Sequence, residues 1–296
     1  MALFCIMILF LLIPVAFWGL SYIAIKVGLR YLSPMELISA RLILAAPVLY
    51  LILRAKKITI NWRQDKLLLF LCGLVIFLHF FVMASGMKTV EATNTSWILT
   101  TAPIFIALLS WLFLKERFGL FATAGLVVAT AGVLVLMSGG NLTHLGWLAS
   151  TNDWLVFSSC LTWAVYTILG RIVTRRHDSL AATFVMVLIP AVLIAPWVLV
   201  GSGFSHLMAM PWQGWAAVVF LGVFCLAIAF WLWIEGLSRH PAAKVGIYLY
   251  VEPLITTLAA MLLLKEKLTL ATIIGAAAIF AGVYLSGLDA NKKNIS

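Results

Sequence analysis

Apolar residues run along this chain in long unbroken blocks, and polar residues are confined to short gaps between them. Ten blocks stand out, at roughly 3–25, 34–54, 66–86, 91–112, 118–138, 153–172, 180–201, 214–236, 242–263 and 268–287. Each is close to the roughly 20 mostly apolar residues that a helix needs to cross a bilayer. The apolar positions are continuous, not alternating, which argues against a transmembrane barrel. The pattern predicts an all-α membrane protein with ten transmembrane helices. The first block has no lysine or arginine ahead of it and no small-residue cleavage site, so it is expected to stay as a helix. The longest connections, near 139–152 and 202–213, are too short for a soluble domain.

Composition sharpens this. Hydrophobic residues make up 64% of the 296 positions and charged residues 10%, with a mean hydropathy of +1.13. Soluble proteins carry about 45–50% and about 25%. The formal net charge of +10 raises the question of nucleic acid, but its placement answers differently. With the gaps assigned alternately to the two membrane faces, the face shared by both termini receives 14 lysines and arginines. The opposite face receives five (Lys26, Arg30, Lys88, Lys265, Lys267), and Arg41 stays inside a span. Positive charge favours the cytoplasmic side. Both termini are therefore expected in the cytoplasm, and the basic excess is a topology signal with some contact to anionic lipid. No nucleic-acid partner is expected. Cys5, Cys72, Cys160 and Cys225 all fall in spans without metal-site or disulfide spacing, and read as small packing residues.

Displaced by 150 residues, Gly86–Val135 lies over Gly236–Leu285 without a gap, with about 14 of 50 positions identical. The matches include Pro103/Pro253, Leu114-Lys115-Glu116/Leu264-Lys265-Glu266 and Ala131-Gly132-Val133/Ala281-Gly282-Val283. A weaker match at 145 residues puts Trp18 over Trp163 and Lys26 over Arg171. Each half then holds five spans. Five is odd, so the chain enters its second half from the opposite side and the halves are inverted copies. The expected organisation is a first repeat at 1–150 (spans 1–5) and a second at 151–296 (spans 6–10). Inverted repeats are the architecture of many secondary transporters, with the substrate near the midplane where the repeats meet.

These residues carry a resemblance. The W-G-x-x-Y-x-x-I-K close of the first span (Trp18 to Lys26), Arg41 in the second, and the paired P…L-K-E-[RK] units followed by A-G-V resemble EamA-type members of the drug/metabolite transporter superfamily, over about residues 12–288. The resemblance implies a ten-helix carrier of a bacterial inner membrane that exports amino acids, other metabolites or drugs. One departure is that the second half has no counterpart to Arg41; Ala182–Val185 is apolar apart from Thr183.

Intramembrane ionisable groups are costly and face the bundle interior or a cavity. Glu252 is the deepest, and Pro253 behind it removes a backbone donor and can kink the helix. Its carboxylate is a candidate for a substrate ammonium or a coupling proton, or else for holding helices together. Pro103 repeats the kink with Ala102 in place of the glutamate, so the proline reads as architecture and the glutamate as an addition. Arg41 is a charge or coupling candidate that snorkels, or pairs with Glu36, Glu252 or a substrate carboxylate. His79 reads as a packing group or a pocket liner.

Most of the aromatics (12 Trp, 7 Tyr and 18 Phe) are expected in an interfacial belt, among them Trp62, Trp147, Trp154, Trp212 and Trp215 near span ends. Trp18, Tyr22, Trp97, Trp163, Tyr248 and Tyr250 lie deeper, where an apolar body with a polar handle suits a cavity for amphipathic metabolites. Asn94 and Thr101, with Thr95 and Thr100, add hydrogen-bonding capacity on span 4. Gly125, Ala129 and Gly132, and on span 10 Ala278, Gly282 and Ser286, form small-residue stripes for close packing between the halves.

The expected substrate site is thus Trp18, Tyr22, His79, Asn94, Trp97, Thr101, Trp163, Tyr248 and Glu252. No nucleotide-binding loop, zinc motif or nucleophile elbow appears, and no cofactor is expected. A secondary transporter working by alternating access, as a monomer or weak dimer in the bilayer, is the leading class. An intramembrane enzyme would need more acid–base groups than Glu252 and His79, and a channel has no need of two inverted halves.

Overall fold

A computed structural model describes residues 2–60, 65–116, 119–137, 150–200, 203–264 and 270–292. Every regular element among them is helical. In chain order these are α1 (Ala2–Gly28), α2 (Pro34–Ala55), α3 (Lys66–Gly86), α4 (Ala92–Leu99), α5 (Ala102–Leu114), α6 (Leu120–Met137), α7 (Thr151–Val173), α8 (Ser179–Val200), α9 (Gly203–Ala209) and α10 (Trp212–Val219). A π-helix (Phe220–Ile228), α11 (Ala229–Arg239), α12 (Ala242–Gly246), a 3-10 segment (Ile247–Val251), α13 (Glu252–Leu264) and α14 (Leu270–Lys292) follow.

Six helical stretches among the described residues are long and apolar enough to cross a membrane: Phe10–Gly28, Pro34–Ala55, Lys66–Gly86, Ala92–Leu114, Thr151–Val173 and Trp212–Arg239. Leu120–Val135, Ser179–Ile194 and Ile273–Ser286 are shorter apolar helices. Large apolar side chains stand exposed around the bundle, including Leu51, Leu67, Phe113, Val127, Leu193 and Ile273. A water-soluble surface rarely gathers so many; a lipid-facing one does. Trp154 and Trp212 are exposed at helix starts, as a belt requires. Trp62, Trp147, Arg117 and the Lys265-Glu266-Lys267 turn lie outside the described residues.

Three departures from straight helices matter. Span 4 breaks between α4 and α5, where the Thr101 hydroxyl donates back to the Ile98 carbonyl at 2.8 Å and Thr100 donates to Trp97. Pro103 then offers no N–H to the carbonyl four residues earlier, that of Leu99. Span 9 breaks at the matching place: α12 gives way to the 3-10 segment, and Pro253 withholds its N–H from Leu249. The duplicated proline thus produces two broken helices. The third departure, the π-helix, has no counterpart in the sequence reading. Its wider turn carries Ala229 N–H back to the carbonyl of Phe224, five residues earlier. FLGVFCLAI is uniformly apolar, so nothing in its pattern separates a π turn from an α turn.

The small-residue stripes meet each other. A Cβ on Gly125 would stand 2.5 Å from the Gly282 carbonyl oxygen, and one on Gly282 would stand 2.5 Å from that of Gly125. Only glycine lets α6 and α14 approach so closely. At one end of the bundle Glu116 accepts the Ala242 N–H with both carboxylate oxygens, at 3.1 and 3.0 Å. Arg171 stands 3.8 Å from the same carboxylate and donates to the carbonyls of Leu237 and Ser238. The charged turn after span 4 therefore caps the start of span 9.

Candidate functional site

The two helix breaks point at one place. Leu99 and Ala102 at the first break, and Leu249 and Glu252 at the second, line a single internal cavity. Trp18, Ser21, Tyr22, Arg41, His79, Phe80, Met83, Trp163 and Phe230 complete it. The space between them is about 40 Å³. A metabolite pocket occupies roughly 300–1,000 Å³, so side chains here are drawn together, leaving room for a water or two.

Spacing on each helix explains which residues arrive. Trp18, Ser21 and Tyr22 are i, i+3 and i+4 on α1, hence one face; on α3 Met83 follows His79 by four and Phe80 by three and so neighbours both. Trp18 and Trp163 pack edge to face with ring centroids 5.0 Å apart, and Trp18 lies 5.5 Å from Phe230. His79 lies 5.1 Å from Trp163, and Phe80 5.6 Å from Phe230. Each such aromatic pair contributes about 0.5–1.5 kcal/mol beyond its area. The Trp18 indole N–H donates to the carbonyl of Cys225 at 3.0 Å, inside the π-helix, so that irregular turn fixes the Trp18 ring.

The polar groups divide into held and unheld ones. Tyr22 donates its hydroxyl to Glu252 Oε2 at 2.5 Å. Glu252 is also the first residue of α13, so its carboxylate sits at the positive end of a half-helix. His79 Nδ1 lies 3.0 Å from the Ser159 carbonyl oxygen. A carbonyl only accepts, so Nδ1 carries the hydrogen. Arg41 is almost fully buried, with its guanidinium carbon 4.0 Å from the centre of the Phe80 ring. Its Nε–H has no acceptor among the described residues. Neither expected acidic partner takes it. Glu36 instead closes a capping box with Ser33 and accepts from His206 at 2.9 Å. Glu252 turns to Tyr22.

Of the residues singled out from sequence, Trp18, Tyr22, Arg41, His79, Trp163 and Glu252 share the cavity. Asn94, Trp97, Thr101 and Tyr248 do not line it. Asn94 donates to Asp153 at 3.1 Å, an acid that also caps α7, so it ties helices together. Trp97 is half-buried, its indole N–H lacks an acceptor among the described residues, and the Thr101 hydroxyl is spent on Ile98. Tyr248 is buried one position before the lining residue Leu249, so its side chain leaves the 3-10 turn in another direction. Tyr250 is tied to Thr130 on α6 at 2.7 Å. Ser21, Phe80, Met83, Leu99, Ala102, Phe230 and Leu249 were missed. The available signal was the 150-residue offset, under which Phe80 faces Phe230 and Leu99 faces Leu249.

Known proteins resemble this chain along its whole length. The profile of the EamA-like transporter family matches it twice, over residues 5–138 and 151–288. An uncharacterized transporter of Archaeoglobus fulgidus is 30% identical over 283 residues, covering 94% of this chain and 96% of that protein. A probable terminal-alkyne amino-acid exporter of Streptantibioticus cattleyicolor is 26% identical, with 93% and 91% covered. A solved crystal structure superposes with a TM-score of 0.74 at 22% identity, covering 97% of this chain and 98% of that one, a likeness of fold. Two family matches span nearly all of the sequence, and the chain belongs to the EamA-like transporter family.

Proposed function

We propose that this protein is a secondary transporter that exports amino acids or related small metabolites across a bacterial inner membrane by alternating access. In this reading ten spans form two inverted five-helix repeats, residues 1–150 and 151–296, with both termini in the cytoplasm. The substrate site is the cavity at the two helix breaks.

One observation carries the proposal. Much of the cavity lining falls in pairs related by the repeat offsets: Trp18 with Trp163 at 145 residues, and Phe80 with Phe230, Leu99 with Leu249, and Ala102 with Glu252 at 150. A site where both halves supply equivalent positions is the place from which either half can rock. The family's membership of transporters fits a protein without an enzymatic role. The similarity to a probable amino-acid exporter supports an amino-acid-like substrate.

A multidrug exporter is the second reading, favoured by the aromatic walls and Glu252, which suit organic cations. Counterflow of radiolabelled amino acids and of organic cations into proteoliposomes separates the two. Saturable exchange of either class supports transport, and no exchange of any solute overturns it. Topology is tested by a single cysteine at Glu266, which labels from outside the cell. Labelling only from the cytoplasmic face overturns the inverted arrangement.

A further inference from the structure

A guanidinium and a carboxyl group share the cavity without pairing with one another. Arg41 and Glu252 both line it, both are nearly fully buried, and no carboxylate of the described residues lies within 4.0 Å of Arg41. Glu252 has Tyr22 on Oε2, while Oε1 receives no hydrogen bond from the described residues. Arg41 has the face of Phe80 and, among the described residues, no acceptor for its Nε–H. A guanidinium offers five N–H donors in a rigid fork that matches a carboxylate. Leaving one unanswered at membrane depth is costly.

The halves divide the charges between them. Arg41 comes from the first half, and the second has only apolar residues and Thr183 at the matching place. Glu252 comes from the second half, where the first has Ala102. Structural pairing would have brought the two together. Here each is fixed separately: Glu252 by Tyr22, and Arg41 by backbone contact with the π-helix, where a Cβ on Gly222 would stand 3.0 Å from the Arg41 carbonyl oxygen.

We infer that the ligand of this cavity is a zwitterion that places its carboxylate on Arg41 and its ammonium on Glu252, with its side chain among Trp18, Trp163, Phe80 and Phe230. This rests on the cavity being the transport site, and it makes Arg41 the residue that separates amino acids from cationic amines. Organic cations satisfy Glu252 but leave Arg41 facing a like charge.

The test is ligand-induced thermal stabilisation of the full chain in nanodiscs, with each proteinogenic amino acid compared with its carboxamide and its decarboxylated amine. At least one amino acid should stabilise the protein, with its carboxamide bound roughly 30-fold more weakly or worse, the loss typical of unpairing a buried charge. Arg41→Gln should erase that preference, and Glu252→Gln should instead erase the preference for the amino acid over its desamino acid. Arg41→Lys keeps a charge without the fork and should retain a reduced preference, which serves if Arg41→Gln does not fold. Carboxamides or amines bound as tightly as the best amino acid by the wild type overturn the inference, as does a preference that survives Arg41→Gln or the absence of binding by every amino acid. Counterflow of the same compounds keeps the two failures apart. Arg41-dependent binding without exchange removes transport and leaves the zwitterion site. Exchange of cations with no amino-acid binding removes the zwitterion and leaves transport.

Discussion

Replacing Glu252 by glutamine changes a charge and little else. The amide oxygen can still accept from Tyr22, whose hydroxyl stands 2.5 Å from Oε2 in the native chain, and the side chain keeps its length. If the carboxylate only holds α13 against α1, transport by Glu252→Gln should stay near the wild-type rate. If the charge meets the substrate or a proton, the loss follows from the bond it makes. A hydrogen bond to a charged group contributes about 1.5–3 kcal/mol, and each 1.4 kcal/mol is about tenfold, so turnover should fall roughly 10- to 100-fold. Tyr22→Phe gives the complementary measurement. It removes the donor and leaves the carboxylate buried, and it should lower transport by about tenfold in its own right. The double variant should be no worse than Glu252→Gln alone, because Tyr22 acts through the carboxylate. The assay is counterflow in proteoliposomes from pH 5.5 to 8, with folded protein confirmed by size-exclusion. A Glu252→Gln variant with the wild-type rate and the wild-type pH profile refutes the functional role of the charge.

Three further outcomes are expected. Trp163→Phe keeps an aromatic ring near Trp18 but loses part of the packing, and should raise the KM of counterflow several-fold, since an aromatic pair is worth about 0.5–1.5 kcal/mol; unchanged kinetics would count against the cavity. Gly282→Val puts a Cβ 2.5 Å from one backbone atom of α6 and 2.6 Å from another. It should destabilise the protein by about 1–3 kcal/mol as overpacking does, read as a lower Tm in nanodiscs, while Ala277→Val on the exposed side of α14 leaves Tm unchanged. His240, in the connection after α11, is held below its ordinary pKa by burial first and then by Lys244, Arg171 and Arg239. Its neutral form is therefore the folded one, so its contribution is present above about pH 6.5 and lost as pH falls through the lowered folded value; His240→Gln should flatten the fall in Tm below that pH.

Hydropathy reveals helices through length and continuity, so the all-helical bundle was legible throughout. It says less where a span is interrupted. Pro103 and Pro253 announced the breaks, but that span 9 would pass through five residues of 3-10 helix did not follow from proline alone. The repeat offset aligned Trp18 with Trp163, and their rings do touch. Side-chain direction was the part sequence could not supply. Asn94, Trp97 and Thr101 were placed by depth, and depth does not fix which face of a helix looks inward. For Arg41 the sequence leaves open snorkelling or pairing with Glu36, Glu252 or a substrate carboxylate, and neither glutamate takes it. Glu36 is claimed by the cap of its own helix and by His206 on α9, which lies within the 202–213 connection between apolar blocks.

The asymmetry at Glu252 bears on how the proposed inverted repeats work. Alternating access needs two states of similar free energy, a few kcal/mol apart at most. Near-equal halves supply this, because exchanging their conformations turns one state into the other. A lone charge on the periphery would break the balance, since one exchange would bury it and the other expose it. A charge beside the pseudo-twofold axis meets nearly the same neighbours after the exchange. Under the proposed repeats Glu252 takes such a position: it opens α13 at the cavity that Ala102, the first residue of α5, also lines. Arg41 lines the same cavity from the opposite half. The proposed symmetry of the scaffold is carried by the prolines, the glycine seam and the aromatic pairs. In that proposal the site departs from it at two positions of one cavity, Arg41 and Glu252, where a departure would cost the exchange least and where the proposed zwitterion would need it.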